Sequence, residues 1–455
     1  MADGSVVQIS RLVDERGLSS FHVKLIIWSL FIVFIDGYDI GAIGFAAPEL
    51  VKAWAITNRG ALGPVLGASL IGILFGSGLF GYIGDRYGRK VALIGSMLVF
   101  GSLTWGAAYA TNLNQMFWLR LLAGIGIGGV IPNVIAVNME SAPRHLRATL
   151  ALIAVGLVPL GGAIPGIVSI FLVPTQGWQI LFLVGGITPI VISAVALFGL
   201  PESIKFMALH ESHRKGVEKL LAAIKPGIKI PAGARFVIED EKNYKGFSPT
   251  YLFRDGLHWI TPLLWLLFAL NLMGFFFLSS WTPTLLEAAH SPTLAKLATI
   301  MIQVGGTIGA LTLCRVIDKY RFVPIAILFV IAVPVVGSIG FWGVTSETLL
   351  LVATFFTGFC VLGIQSGINV AGAMIYPTSL RSNGSGWELG IGRIGSIIGP
   401  VLGGLFIAMP VQELYMWAAI PFAVGAVICF TVYRLNEARL KQQPELRQGQ
   451  AAPAE

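Results

Sequence analysis

The chain has 455 residues, of which 55% are hydrophobic and 12% charged, whereas an ordinary soluble domain carries about 25% charged residues. A single soluble domain is therefore excluded. The net charge of +8 would suit a nucleic-acid binder, but its distribution, set out below, argues against one.

Long uncharged apolar windows recur along most of the length, and apolar runs of about twenty residues are long enough to cross a bilayer as helices. Twelve spans are read at 24–46, 61–83, 91–110, 116–139, 149–172, 178–199, 259–282, 295–314, 323–343, 347–371, 384–407 and 413–433. The expected fold is all-α, with twelve transmembrane helices in two pseudo-symmetric six-helix halves. Met1–Phe21 is polar and charged, so no cleavable signal peptide is visible and the first span serves as its own insertion signal. Of the 31 Lys and Arg residues, 26 fall in the N-terminus, the even-numbered connections, the central stretch and the C-terminus. Lys52, Arg59 and Lys296 fall on the other side, and Arg120 and Arg393 fall inside spans. This asymmetry predicts cytoplasmic termini. The expected organisation is a cytoplasmic N-terminus (1–23), a six-helix half (24–200), a cytoplasmic central loop (201–257), a second six-helix half (258–433) and a cytoplasmic tail (434–455).

Asp36-Gly37-Tyr38-Asp39 lies in the first span. Three residues apart, the two aspartates share nearly one helix face. Two carboxylates so placed disfavour joint ionisation, which suits a proton-coupling site. Gly84-Asp85-Arg86-Tyr87-Gly88-Arg89-Lys90 reads as a tight turn between the second and third spans, with glycine permitting the reversal. Arg120 in the fourth span and Arg393 in the eleventh each need an anion, from Asp36, Asp39, Glu140, Glu388 or a substrate. Gly124-x-Gly126-x-x-Gly129 and Gly390-x-Gly392-x-x-Gly395 mimic a dinucleotide fingerprint. They lack its strand context, so they read as helix-packing faces, as do Gly161-Gly162 and Gly403-Gly404.

Pro143-Arg-His-Leu146-Arg147-Ala148 is echoed by Pro377-Thr-Ser-Leu380-Arg381-Ser382, and Asp85-Arg86-Tyr87 by Asp318-Lys319-Tyr320. Repeats in one sense fit parallel halves that rock about a midplane site. The central stretch carries ten Lys and Arg residues, with a short amphipathic helix expected around Arg214–Ala223. Cys314, Cys360 and Cys429 have no metal-ligand spacing, and no metal site or cofactor motif is seen. For a flat ligand, the aromatic candidates are Tyr38, Phe275, Phe276, Phe277, Trp281 and Trp387, and the polar ones Asn271, Gln303, Gln365 and Asn369. The gating set comprises Asp85, Arg86, Arg89, Glu140, Arg147, Asp318 and Arg381.

The turn at 84–90, preceded by Gly81, resembles the loop signature of the major facilitator superfamily. Asp36-Gly-Tyr-Asp39-Ile-Gly-Ala-Ile-Gly44-Phe-Ala-Ala-Pro48 resembles the first-span signature of its aromatic acid:proton symporter family. Tyr376-Pro377-Thr378-x-Leu380-Arg381 and Gly384-x-Gly386-Trp387-x-x-Gly390-x-Gly392-Arg393 are similar to that family's tenth-to-eleventh-span region. The resemblance implies uptake of benzoate-type or hydroxybenzoate-type acids with protons, without a cofactor. It implies importance for Asp36, Asp39, Arg120, Arg381 and Arg393. Glu388 departs from it, standing where the family more often has a small residue; one turn from Arg393, it could neutralise that arginine, accept a proton or bind a substrate hydroxyl. Expected partners are the bilayer, a small aromatic carboxylate and protons, with the chain a monomer. A carrier for a dicarboxylate, lactone or sugar, and a non-transporting receptor, stay open on the residues alone.

Overall fold

A computed structural model of the chain describes residues 6–8, 20–143, 156–209, 216, 235–237, 249–254, 256–287, 290–320, 322–376 and 381–442. Apolar runs without charges leave the backbone only internal hydrogen bonds in a bilayer, which selects helix. The helices are α1 (Ser20–Ala53), α2 (Leu62–Tyr87), α3 (Arg89–Ala107), α4 (Leu113–Ser141), α5 (Val158–Phe171) and α6 (Gln179–Gly199), followed by α7 (Ile260–Glu287), α8 (Pro292–Tyr320), α9 (Val323–Thr345), α10 (Glu347–Ile375), α11 (Arg381–Phe406) and α12 (Val411–Gln442). Among the described residues, eleven helices are long and apolar enough to cross a membrane, and α5 is a shorter apolar helix. The expected fifth span began at residue 149, and its first part lies outside the described residues. A turn interrupts α4 at Gly129. Pro132 lies just beyond it and leaves the carbonyl four residues back without a donor.

The sequence suggested no strands. The structure pairs Val6–Gln8 with Arg235–Val237 as a short parallel ladder, tying the N-terminal segment to the central stretch. The helix expected over 214–223 lies outside the described residues except for Gly216, which is helical.

Packing follows the small residues. In the first half α2 packs on α4, α1 on α5 and α3 on α6; six helices later, α8 packs on α10, α7 on α11 and α9 on α12. A Cβ on Gly124 would collide with Ser69 of α2, and one on Gly126 with Ser96 and Phe100 of α3. Gly392 and Gly395 meet Phe268 and Ala269 of α7 in the same way. All the fingerprint-like glycines but Gly390 are thus contact points between helices, as are Gly161 against Phe34 and Gly403 against Trp281.

The two halves meet through α1 with α7, α2 with α11 and α5 with α8. Gly60, in the turn just before α2, and Gly63 and Gly67 of α2 lie against Gly404, Pro400, Val401 and Ile397 of α11. These contacts lie toward the face opposite the α2–α3 turn. Further along the same stripes, Gly78 and Gly81 of α2 and Gly390 of α11 have nothing within 4 Å of a Cβ position. The halves are therefore shut at the opposite face and part toward the turn face.

Gly124→Leu should drive side-chain atoms into the α2 backbone and cost about 1–3 kcal/mol or more. Thermal unfolding in detergent reads this as a lowered midpoint; an unchanged midpoint would contradict the packing.

Candidate functional site

Four charged side chains sit in spans that otherwise hold almost none, and they divide into a paired set and an unpaired set. Asp39 and Arg120 are both fully buried and form an ion pair within the first half. Arg120 reaches the Asp39 carboxylate through Nη1 at 3.0 Å and Nη2 at 2.9 Å, and Nη2 also donates to the Asp39 carbonyl at 3.0 Å. Thr104 Oγ1 donates to the same carboxylate at 2.6 Å, and the Phe182 ring lies 5.9 Å from the guanidinium carbon. A planar fork matched to a carboxylate is the arrangement arginine favours. Arg120 is thus taken up by Asp39, which corrects its placement as a substrate contact in this state. Tyr38 is likewise turned away: its hydroxyl donates to the Leu181 carbonyl at 3.0 Å and its ring packs on Gly185.

Asp36 differs from its neighbour. It is fully buried, and neither carboxylate oxygen has a hydrogen-bond partner. Arg393 of α11, in the other half, interacts with it electrostatically. Arg393 is half-buried, and among the described residues its guanidinium makes no hydrogen bond or ion pair. An arginine fork thus stands at mid-helix, facing the first half, with its donors unused.

Around it the second half supplies polar and aromatic groups. Asn271 of α7 donates to Gln365 of α10 at 2.9 Å and to the Val361 carbonyl at 3.2 Å, while its own Oδ1 is unpartnered. Asn369, one turn beyond Gln365, is exposed. Gln303 of α8 donates to Ser279 at 3.2 Å and leaves Oε1 unpartnered. Phe275 is half-buried, edge-on to Phe276 at 5.1 Å, and packs against two hydrophobic clusters, one that spans both halves and one made mostly of the first. Trp281 does not face the space between the halves: it is fully buried and donates to the Pro400 carbonyl at 2.8 Å, so it braces α7 on α11. Trp387 lies 6.2 Å from Trp265, which the sequence reading did not single out. Glu388 makes no ion pair with Arg393. Five residues apart on a helix, the two point to different sides; Glu388 is buried against Gly372 of α10 with Oε1 unpartnered.

The gating residues of the turn cluster at one end of the first half. Gly88 has φ +107°, a conformation that glycine adopts without strain, and it reverses the chain into α3. Arg89 pairs with Asp85 at 2.6 Å and with Glu140, at the end of α4, at 2.8 Å. Glu140 also accepts from the Ser203 hydroxyl. Glu202 accepts from the Lys90 backbone N–H at 3.1 Å and from that of Ser203 at 2.8 Å. Burial pushes the Glu202 carboxyl above its ordinary value, against the backbone donors of Ser203, Lys90 and Arg89. Arg86 takes no part: it donates to Tyr82 at 2.9 Å on the exposed side. The network joins α2, α3, α4 and the end of α6, all in one half. Arg147 lies outside the described residues, and Asp318 and Arg381 are described only as helical backbone. Thr104, Glu202 and Ser203 were missed; of these, only Glu202 carries a charge that a sequence scan could weigh.

Two outward grooves, one between α8, α9 and α10 and one between α7, α11 and α12, are lined almost wholly by apolar groups and lie apart from these charges.

Among the described residues, eleven membrane-long helices and the shorter α5, in two like sets shut at one face and enclosing charges at mid-depth, define a membrane carrier of the alternating-access kind. A family model described as Major Facilitator Superfamily matches residues 29–302 and again 264–455. The 4-hydroxybenzoate transporter PcaK of Pseudomonas putida is 33% identical over 409 residues, 89% of this chain and 91% of that protein. A gallate transporter of the same species is 30% identical, over 96% of this chain and 97% of its own. The chain belongs to the major facilitator superfamily and, within it, to the aromatic acid transporters; it is a carrier and not an enzyme. The fold is also that of the xylose transporter XylE from E. coli in a partially occluded inward open conformation. That likeness has TM-score 0.69 and 16% identity over 90% of this chain and 99% of the other. A bacterial homolog of the lysosomal transporter Spinster, in an inward-facing conformation, gives TM-score 0.71 at 13% identity over 93% of this chain and 99% of the other.

Breaking the Asp39–Arg120 pair leaves a buried charge without its counterion, which costs about 3–5 kcal/mol. Asp39→Asn and Arg120→Leu should each lower the thermal midpoint strongly, and the double variant should lose much less than the sum. Additive losses would show that the two are not a unit.

Proposed function

We propose that the protein is a proton-coupled symporter for an aromatic carboxylic acid of the benzoate or hydroxybenzoate type. It works by alternating access in the cytoplasmic membrane, as a monomer with both termini inside. It uses no cofactor and is driven by the proton gradient. The observation that carries this reading is the division of charges: Asp36 and Arg393 lie on opposite halves, oppositely charged, and neither side chain is hydrogen-bonded among the described residues. The relatives that carry 4-hydroxybenzoate and gallate support the substrate class, and the distribution of Lys and Arg supports the orientation.

The chemistry follows from electrostatics in a poorly solvated site. An aromatic acid is ionised at neutral pH, and its carboxylate loses hydration on entering the midplane. A bidentate guanidinium offsets that loss better than a point charge does. With Asp36 ionised, the positive charge of Arg393 is already answered across the interface, and a second carboxylate would leave the site with excess negative charge. With Asp36 protonated, Arg393 is free to take the ligand. One proton on Asp36 and one carboxylate on Arg393 therefore enter together. Loss of both toward the cytoplasm restores the attraction between Asp36 and Arg393. Phe275 and Trp387 offer flat apolar surfaces to the ring, and Asn271, Gln303, Gln365 and Asn369 offer hydrogen bonds to ring hydroxyls. Asp39 does not carry the proton, because Arg120 and Thr104 hold its carboxylate; it anchors the helix that presents Asp36. Asp85, Arg89 and Glu140 fix the helix ends of the first half so that it moves as a body.

The test is transport by purified protein in proteoliposomes. Asp36→Asn should abolish gradient-driven accumulation of labelled 4-hydroxybenzoate and leave counterflow intact. Arg393→Lys should weaken binding tenfold or more, on the order of 1.5–3 kcal/mol for a charged hydrogen bond. Equal binding of the acid and its uncharged amide by the wild type would remove carboxylate recognition from the mechanism.

A further inference from the structure

The mouth opposite the α2–α3 turn carries four charged residues that the transport reading leaves unused. Lys52, at the end of α1, meets Glu287, at the end of α7, at 2.5 Å. Glu49, one turn earlier on α1, stands 3.6 Å from Lys52 and 3.6 Å from Lys296 of α8. The Lys296 ammonium also donates to the Ser169 carbonyl of α5 at 3.3 Å. Among the described residues, the pairs Lys52–Glu287 and Lys296–Glu49 are the ion pairs that join the two halves; the remaining pairs lie within the first half.

We propose that Glu49, Lys52, Glu287 and Lys296 form an ion-pair latch that holds the outer mouth shut and must break each time the carrier opens outward. This rests on the reading of the chain as an alternating-access carrier and gives its closed mouth a set of named residues. Position is the first argument. The four groups sit where α1 meets α7 and α8, at the same end as the tight seam of Gly60 and Gly63 with Gly404. Charge balance is the second. Two carboxylates and two ammonium groups leave no net charge, so an opened mouth exposes balanced groups to water. Reversibility is the third. Lys52 is more than half exposed and is easily rehydrated, and part-exposed pairs are individually weak. Lys296 is buried when the mouth is closed, so its attraction to Glu49 is less screened by salt. The close pair at Lys52 is open to water and the longer pair at Lys296 is sheltered from it, so together they hold the seam without locking it.

The test measures access to the closed seam and needs no substrate. Ser280 of α7 is buried where Gly44 of α1 packs against it. In a background carrying Cys314→Ser, Cys360→Ser and Cys429→Ser, Ser280→Cys would be labelled by a membrane-impermeant maleimide from outside right-side-out vesicles. Lys52→Glu places like charges against Glu49 and Glu287 and should raise the labelling rate about threefold or more, the scale of a part-exposed pair. Lys296→Gln should raise it further. The exchange Lys52→Glu with Glu287→Lys should return the rate toward that of the parent, which a merely misfolded variant cannot do. Labelling at the parent rate in both single variants, or no recovery in the exchange, overturns the latch. Either result leaves the Asp36–Arg393 reading to its own test, because that test reads ligand and proton rather than the mouth.

Discussion

Asp36 and Arg393 are opposite charges held on opposite halves of a molecule whose interior is mostly hydrocarbon. Removing a charge from water is costly, and protein interiors normally answer it with a counterion or several hydrogen bonds. Three residues along the same helix, Asp39 follows that rule, with Arg120 paired to its carboxylate and Thr104 donating to Oδ1. Asp36 does not: it is equally buried and has no hydrogen bond. The contrast between two aspartates on one helix separates structure from function here. The satisfied pair makes the first half rigid, and the unsatisfied residue is left responsive to what occupies Arg393.

That responsiveness requires the halves to move as bodies, and the packing supplies bodies. Within each half, glycine and other small residues bring helix backbones close along their length, so each bundle resists distortion. Between the halves, the comparable close contacts lie toward one face, along the seam of α2 with α11. The turn-face network of Asp85, Arg89, Glu140 and Ser203 stays inside one half. It therefore stiffens a moving part and leaves the interface itself free to open. A half-buried arginine on the parted side of the seam is placed where a ligand can arrive and leave.

Much of this was legible in the sequence, for physical reasons. Charges are so rare in apolar spans that Asp36, Asp39, Arg120 and Arg393 stand out at once. The glycine repeats read as packing faces because no strand precedes them. What the sequence could not supply was direction. Asp36 and Asp39 are nearly equivalent by helix geometry, and only the placement of α3 and α4 decides that Arg120 meets Asp39. Thr104 is an ordinary threonine until it lies beside a buried carboxylate. Tyr38 and Trp281 satisfy their polar atoms on neighbouring carbonyls, Leu181 and Pro400, and this depends on partners distant in the chain. Glu388, one turn from Arg393 by count, faces α10 instead because helical periodicity turns it away. Lys52 and Lys296 were visible as isolated cations on the far side, but their partners across the seam, Glu287 and Glu49, are distant in the chain.

The central claim is that the carboxylate of the ligand and the proton on Asp36 are bound as one event at Arg393. The most direct measurement is the affinity for 4-hydroxybenzoate as a function of pH, by calorimetry on the purified wild type and on Asp36→Asn. Linkage requires that wild-type affinity fall as pH rises, approaching a tenfold loss per pH unit where one proton is bound with each ligand. Asp36→Asn, which mimics the protonated side chain, should hold its affinity across the same range. A wild-type affinity independent of pH, or the same pH dependence in Asp36→Asn, would contradict the account.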